Sequence, residues 1–209
     1  MPLLKIHKDA AQSGWALWFI TETEQELYEI SKQPIDATIT SNFKRIEWFA
    51  GRALLKGLVE QCGMNFYGVE KNEFGKPSLV NHSHHISLSH SFPYVAAQID
   101  VHTEVGIDLE QPKLKLLNIA PRILNSIELA DAGQDVAKHC VYWCAKEVLY
   151  KSFGKRGLHF AEHLAISPFT MQQTGEIIAK ITFRDFYRTL SLQYSVQPDY
   201  VLVRTLIKN

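Results

Sequence analysis

The sequence predicts an α+β fold built from two similar halves. Its elements follow the order strands, long helix, three strands, and then helices and three strands again. The two long helical patterns, residues 41–62 and residues 136–153, start about a hundred residues apart, which is a common domain size. The chain of 209 residues accommodates two such units. We therefore predict domains at residues 1–103 and 104–209.

The composition is that of an ordinary globular protein, with 46% apolar and 21% charged residues. Lys and Arg together number 22 and equal Asp plus Glu, so no global field favours nucleic acid or an anionic membrane. Three cysteines without metal-type spacing favour buried, reduced thiols. No apolar run resembles a signal peptide or approaches the roughly 20 residues that span a bilayer. We expect a cytoplasmic protein that binds neither nucleic acid nor membrane.

The first half is predicted to begin with a strand and two helices. Residues 15–20 form an apolar run rich in aromatic side chains, which is typical of a buried strand. Residues 21–32 are polar with apolar positions three apart and predict a short surface helix. Ser41 is the predicted N-cap of a long helix that ends at Gly63.

A turn at residues 72–77 and three strands are predicted to follow this helix. Residues 85–91 alternate between apolar and polar side chains, and residues 94–99 resume the pattern after a Phe-Pro break. Residues 105–110 form the next strand after a short polar link. Since the three strands follow one another closely, we expect an antiparallel meander.

The second half is predicted to hold two short helices, one long helix and further strands. The long helix runs from about residue 136 to residue 153 and is closed by Gly154. One short helix lies around residues 116–125, and Ser126 offers a cap for the other. The later strands are predicted at residues 163–167, 176–183, 188–196 and 200–207.

Residues 105–110, with the sequence VGIDLE, carry two carboxylates on one strand. Residues two apart share a strand face, so Asp108 and Glu110 point to the same side. Two like charges at this spacing repel each other unless a cation or a basic group lies between them. The pattern indicates either a hard-metal site or a solvent-facing strand edge, and for an isolated motif the strand edge is the commoner outcome.

Charged side chains also recur at helical spacing on both long helices. Glu147 and Lys151 lie four residues apart, an ordinary helix pair that contributes ~0.3–0.5 kcal/mol. Arg45 and Arg52 fall close to one face of the first long helix. This face is either a solvated basic surface or an anion-binding surface.

Four blocks together resemble the signature motifs of the 4'-phosphopantetheinyl transferase superfamily. Residues 106–110 (GIDLE) are similar to its G-I-D-x-E motif, and residues 143–151 (WCAKEVLYK) to its W-x-x-K-E-(S/A)-x-x-K motif, with Val148 where Ser or Ala is usual. Residues 74–77 (FGKP) and 87–91 (SLSHS) resemble two upstream motifs of the longer, Sfp-type branch. Each block alone is weak, but four in the right order identify the chain as resembling this family.

The resemblance implies a fold, an activity and partners. The implied fold has two similar α/β subdomains in a pseudo-twofold arrangement, each with a long helix packed on a small antiparallel sheet. The implied activity is Mg²⁺-dependent transfer of the 4'-phosphopantetheine arm of coenzyme A to a serine of an apo acyl or peptidyl carrier protein, with release of adenosine 3',5'-bisphosphate. Mn²⁺ is the alternative metal. Because the two-halved chain supplies both faces of the expected cleft, a monomer is expected.

The resemblance also implies roles for individual residues. Asp108, Glu110 and Glu147 would hold the divalent cation against the pyrophosphate. Glu147, directly or through a water, would take the proton of the carrier serine, and Lys151 would steady the leaving group. The expected catalytic residues are thus Glu147, Lys151 and Asp108. The expected contacts with coenzyme A come from Arg45, Arg52, Lys76, Ser89, His90, Asp108, Lys146 and Lys151.

Two other functions compete with this interpretation. A relative that binds coenzyme A or a carrier without catalysis would not need the full set of charged motif residues, yet all are present. A zinc hydrolase is suggested by His159, Glu162 and His163, which match the pattern H-x-x-E-H. That pattern requires a helix that places both histidines on one face, and the strand-like residues 164–168 leave little room for one.

Overall fold

The computed structural model of the protein describes residues 3–35 and 37–207. The chain divides into two compact units, with the boundary between Val105 and Gly106. Each unit combines helices with one antiparallel sheet, which confirms the predicted α+β fold. No helix among the described residues is long and apolar enough to cross a membrane.

The described residues of the first unit form two helices and six strands. Its sheet has all neighbouring strands antiparallel, and its core is formed by apolar side chains between the sheet and the longer helix. In chain order the elements are β1 (Leu3–Ala10), β2 (Ser13–Phe19), α1 (Glu24–Ser31), α2 (Asn42–Gln61), β3 (Val69–Lys71), β4 (Pro77–Leu79), β5 (His85–Ser91) and β6 (Tyr94–Asp100). The strand order in the sheet is β1-β2-β6-β5-β4-β3.

Helix α2 agrees with the prediction at both of its ends. Ser41 is the N-cap residue, although its side chain makes no capping hydrogen bond, and Cys62 is the C-cap. Gly63 follows with φ +77°, a left-handed conformation that glycine adopts without steric cost. The apolar stripe of α2 buries Leu54 and Leu58 against the sheet, so the amphipathic pattern produces the packing.

The second unit, over its described residues 106–207, forms four helices and five strands. In chain order the elements are β7 (Ile107–Glu110), α3 (Lys115–Ile123), α4 (Ser126–Ala132), α5 (Val136–Phe153), α6 (Phe160–His163), β8 (Leu164–Ile166), β9 (Thr174–Phe183), β10 (Phe186–Val196) and β11 (Val201–Thr205). The strand order is β7-β11-β10-β9-β8, again with antiparallel neighbours. Helix α5 packs against this sheet, and most of its residues are buried.

The first two of the three predicted strands pair with each other, but the predicted three-strand meander is wrong. Strands β5 and β6 pair with each other, with Ser91 opposite Tyr94 at the turn. Strand β7 instead joins the second sheet, where Asp108 lies opposite Val203 of β11. Proximity along the sequence predicted the meander, whereas the short polar link before β7 is in fact where one unit ends and the other begins.

The cysteines and the ends of α5 agree with the sequence. Cys62, Cys140 and Cys144 are free and buried. Asp135 caps the start of α5 by accepting hydrogen bonds from two backbone N–H groups, and Gly154 ends the helix with φ +68°. The helix that carries two of the candidate catalytic residues is therefore fixed by local signals at both ends.

Candidate active site

Strand β7 and helix α5 bring Asp108 and Lys151 into direct contact. The Lys151 ammonium donates a 2.7 Å hydrogen bond to Asp108 Oδ1 and a 3.0 Å hydrogen bond to the backbone carbonyl of Ile107. Asp108 is 6% exposed, so its carboxylate has lost most of its water. An ammonium group in direct contact offsets part of that loss.

Gly106 allows this contact because the backbones of β7 and α5 approach each other closely there. A β-carbon on Gly106 would lie 2.2 Å from the carbonyl oxygen of Val148, well inside van der Waals contact. Gly106 is also hydrogen-bonded to Thr205 through both its backbone polar groups: its N–H donates to Thr205 Oγ1 at 2.9 Å, and its carbonyl accepts from the Thr205 N–H at 2.9 Å. The glycine of the GIDLE block thus fixes the start of β7 against both α5 and β11.

Glu147 lies on α5 next to this pair. Burial and, to a smaller extent, the negative charge of Asp108 raise the pKa of Glu147 to about 7, although the positive charge of Lys151 opposes that rise. Glu147 therefore lies near the Asp108–Lys151 pair, in a place that disfavours its charged form. A cation bound there would favour the charged form of Glu147.

The Glu110 carboxylate does not form a cluster with those of Asp108 and Glu147. Its Oε1 accepts a 2.8 Å hydrogen bond from the backbone N–H of Gln111, and its backbone carbonyl is 3.7 Å from the sulfur of Cys140. Within residues 3–35 and 37–207, no three His, Cys, Asp or Glu side chains form a cluster that could hold a metal ion. The structure thus brings together Asp108, Glu147 and Lys151.

Lys146, an expected contact of coenzyme A, lies elsewhere. Its side chain is fully buried, and its ammonium group is 2.6 Å from Glu128 Oε2 and donates a 3.0 Å hydrogen bond to the carbonyl of Phe160. Burial lowers the pKa of Lys146, and Glu128 opposes that shift. An enclosed ammonium group with these partners does not reach a ligand in solvent, so contact with coenzyme A does not fit this position.

Arg52 in the first unit has the features of an anion-binding group. Its guanidinium lies over the ring of Trp48, 3.9 Å from the ring centroid, and burial lowers the pKa of Arg52 to about 10. No carboxylate among the described residues pairs with it. A partly buried cation held by an aromatic ring and lacking a counter-ion favours the binding of an anion.

The other expected contacts of the first unit are engaged with acidic side chains or buried. Arg45 contacts Glu24 Oε1 through Nε at 2.9 Å and Nη2 at 2.5 Å, and Lys76 pairs with Glu104. These two cations reach an anionic ligand only by exchanging a partner.

Ser89 and His90 are consecutive residues of β5. Ser89 is buried, whereas the His90 side chain is exposed and its Nδ1 is 3.2 Å from Glu47 Oε2. The hydrogen bond with His90 lowers the pKa of the Glu47 carboxyl, although burial opposes that shift. The structure therefore places an imidazole at the surface with one ring nitrogen held by a carboxylate.

The H-x-x-E-H segment does not form a zinc-type helix. Helix α6 is a single turn, and His159 is its N-cap residue. The His159 N–H donates a 2.7 Å hydrogen bond to Nδ1 of His163, so one ring nitrogen of that histidine is occupied. The histidine rings lie 5.6 Å apart, and the described residues provide no third ligand. This geometry counts against the zinc hydrolase alternative.

Two residues near the candidate site make contacts that were not predicted from the sequence. Glu128 closes a capping box with Asn125, and the spacing N-x-x-E before an apolar run is a recognised signal for that motif. Thr205 anchors Gly106 from the far end of the unit, and no local pattern predicts such a contact.

One protein family has a sequence model that matches this region of the chain. Residues 104–203 match the sequence model of the 4'-phosphopantetheinyl transferase superfamily. The match covers β7, α5 and most of β11, which are the elements that assemble the Asp108, Glu147 and Lys151 group. A search of curated proteins gave no match.

Proposed function

Because residues 104–203 make this chain a member of the 4'-phosphopantetheinyl transferase superfamily, we propose that it moves the 4'-phosphopantetheine arm of coenzyme A onto a serine of an apo acyl or peptidyl carrier protein. The observation that supports the proposal most strongly is the contact between Lys151 and Asp108 beside the half-buried Glu147. Transfer of a phosphoryl group to a serine hydroxyl needs charge stabilisation and positioning, and this group supplies both.

The side chains present fit a hard divalent cation. Asp108 contacts the Lys151 ammonium, and it is near enough to Glu147 for its charge to raise the pKa of that carboxyl. Mg²⁺ is usually held by one or two carboxylates together with phosphate oxygens and waters. We propose that Asp108 and Glu147 hold Mg²⁺, or alternatively Mn²⁺, and that Glu110 becomes the third carboxylate once its side chain leaves the N–H of Gln111. A cation there would neutralise part of the pyrophosphate charge that repels an incoming nucleophile.

The protein side chains then handle the proton and the leaving group. Glu147, directly or through a water, takes the proton of the carrier serine; the water route suits a carboxylate that also holds a cation. The serine oxygen forms a bond to the phosphorus that carries the pantetheine arm. The bond from that phosphorus to the bridging oxygen breaks, and adenosine 3',5'-bisphosphate leaves with the electron pair. Lys151 contacts the pyrophosphate and balances the charge that develops there.

The first unit is proposed to bind the nucleotide part of coenzyme A. Arg52 is the strongest candidate for a phosphate contact, because no carboxylate among the described residues competes for it. Ser89 and His90 are proposed to contact the 3'-phosphate, and Lys76 to lie by the adenine nucleotide. Arg45 is a weaker candidate because it would have to leave Glu24.

The proposed function is tested by incubating the protein with coenzyme A, Mg²⁺ and a panel of apo carrier proteins. The expected result is a carrier whose mass increases by one phosphopantetheine, while the same carrier with its serine replaced by alanine stays unchanged. Coenzyme A binding without transfer to any carrier would instead support a non-catalytic relative.

Two further properties belong to this proposal. The expected assembly is a monomer, so light scattering should give the mass of one chain, and the mass of a trimer would contradict it. The expected location is the cytoplasm, where thiols such as Cys62, Cys140 and Cys144 stay reduced.

A further inference from the structure

Helices α4 and α5 are joined by an ion pair that is sealed from solvent. Lys146 Nζ and Glu128 Oε2 lie 2.6 Å apart, and both side chains are 0% exposed. Lys146 directly precedes Glu147, and Lys151 lies further along the same helix. The ion pair therefore acts on the helix that carries two groups of the candidate active site.

The Glu128 carboxylate connects several elements of the second unit. Its Oε1 accepts a 2.8 Å hydrogen bond from the N–H of Ile166 in β8, and its Oε2 accepts a 2.9 Å hydrogen bond from the N–H of Asn125 at the start of α4. Lys146 adds α6 through its hydrogen bond to the carbonyl of Phe160. The Lys146 ammonium thus connects α5 directly to α4 and α6, and through Glu128 to β8.

Stability alone does not explain this arrangement. Burying two charges removes their hydration, and a pair of apolar side chains of similar size is often as stable or more stable. An ammonium group that must reach both Glu128 and the Phe160 carbonyl does, however, restrict rotation of α5 about its axis. Apolar side chains place a much weaker limit on rotation because their contacts have no direction.

We propose that Glu128 is a positioning residue: through Lys146, it fixes the rotation of α5 so that Glu147 and Lys151 face Asp108 on β7. The kinetic part of this inference rests on the proposed transfer function. A displacement of about 1 Å at reacting groups costs roughly 100-fold in rate. A small rotation of α5 would therefore reduce catalysis without unfolding the protein.

The chain contains a matched control between the same two helices. Lys138 Nζ of α5 lies 2.9 Å from Asp131 Oδ2 of α4, near the start of α5 and away from Glu147. Lys138→Met removes an ion pair between α4 and α5, as Lys146→Met does. Only Lys146→Met removes the pair next to the candidate active site.

The test compares Lys146→Met, the double variant Glu128→Met/Lys146→Met and Lys138→Met. We expect Lys146→Met to lower kcat by about 10- to 100-fold with KM for coenzyme A nearly unchanged. The double variant should regain thermal stability, because no unpaired buried charge remains, while kcat stays low. Lys138→Met should lower Tm and leave kcat near the wild-type value.

Two kinetic outcomes would overturn the inference. One is recovery of kcat together with Tm in the double variant, which would make the ion pair purely structural. The other is an equal loss of kcat in Lys138→Met. If Lys146→Met does not fold, the double variant decides the question, because it leaves no buried charge unpaired.

A crystal structure of the double variant gives a readout that does not depend on activity. We expect the distance from Lys151 Nζ to Asp108 Oδ1, 2.7 Å in the wild type, to exceed hydrogen-bonding range. Retention of that hydrogen bond would overturn the inference. If the wild-type protein modifies no carrier, the proposed function fails, but this measurement still decides whether Glu128 positions α5.

Discussion

Gly106 and Val148 are so close that a β-carbon on the glycine would lie 2.2 Å from the carbonyl oxygen of the valine. Strand β7 and helix α5 therefore meet at the level of their backbones. Because the two backbones are this close, the short carboxylate of Asp108 meets Lys151 on the helix at 2.7 Å. The glycine of the GIDLE block thus has a steric role in the candidate active site.

Replacement of Gly106 by alanine should disturb both stability and activity. The added methyl group collides with backbone atoms of α5, which move only if the helix shifts. We expect a loss of about 1–3 kcal/mol in the free energy of unfolding, the usual range for overpacking. Urea unfolding measures this loss, and transfer activity should fall in the same variant.

Gly57 provides the control for this substitution. It lies within α2, and a β-carbon there would meet no atom within 4 Å. Gly57→Ala should leave stability unchanged or raise it, because alanine favours a helix more than glycine does. A loss of stability in Gly57→Ala as large as that in Gly106→Ala would contradict the steric explanation.

Removal of the Asp108 charge should abolish most of the transfer while leaving the fold intact. Asp108→Asn keeps the shape of the side chain and loses one negative charge next to Lys151. We expect kcat to fall by about 10²–10³-fold, as for other removals of one stabilising group from an active site. Single-turnover transfer to an apo carrier measures this effect.

Glu176→Gln is the matched control for the loss of one carboxylate charge. Glu176 is exposed on β9 and is not part of the candidate site. Its replacement should leave kcat unchanged, and circular dichroism should show that both variants keep the fold. Full activity in Asp108→Asn would refute the assignment of this residue.

Replacement of Arg52 should weaken the binding of coenzyme A. Arg52→Met keeps much of the contact with Trp48 and removes the charge. We expect KM for coenzyme A to rise by roughly 10- to 100-fold, because a hydrogen bond to a charged group contributes about 1.5–3 kcal/mol. Steady-state kinetics with coenzyme A measures the change.

Dephospho-coenzyme A, which lacks the 3'-phosphate, shows which phosphate group of coenzyme A Arg52 contacts. If Arg52 contacts the 3'-phosphate, wild type and Arg52→Met should bind dephospho-coenzyme A equally well. A loss of the same size for both ligands would point to the pyrophosphate instead. An unchanged KM for both ligands would remove Arg52 from the binding site.

Asp131 should make the stability of the second unit sensitive to acid. Burial alone would raise the pKa of Asp131, but hydrogen bonds from Tyr142 and Lys138 outweigh burial and lower it below 3.8. The stabilisation from a carboxylate with a lowered pKa is complete above its ordinary pKa, and it is lost as the pH falls through the lowered value.

The measurement compares urea unfolding of the wild type and Asp131→Asn at several pH values. The stability difference should be constant from pH 7 to pH 5 and should shrink below about pH 4. Asp185→Asn, which changes an exposed carboxylate in the β9–β10 turn, is the control and should show no such dependence. A difference that persists at low pH would show that Asp131 acts through packing alone.

Local signals predicted the elements well, and long-range pairing was where prediction failed. Helix α5 runs over the predicted residues because its ends are set by adjacent residues, the capping side chain of Asp135 and the left-handed backbone of Gly154. The strand predicted to pair with β7 was wrong because hydrogen bonds between strands depend on residues far apart in the chain. Strand β1 was not predicted because its hydropathy pattern is weak. It forms a strand through its antiparallel pairing with β2, which its own sequence does not indicate.

The candidate site shows the same division between local and distant information. Asp108, Glu147 and Lys151 were grouped by motif, and the structure brings them together. Lys146 belongs to the same motif, but α5 is buried on most of its surface, so periodicity does not tell which side chain faces the ligand. Its partner Glu128 was recognisable only as a capping residue.

The position of β7 at the edge of its sheet affects when the site forms during synthesis. Its one strand neighbour among the described residues is β11, and the anchor between Gly106 and Thr205 joins residues 99 apart in sequence. A growing polypeptide therefore cannot hold Asp108 in place until β11 has left the ribosome. Until then, the apolar surface of α5 lacks part of its cover, and transiently exposed apolar surface of this kind favours aggregation.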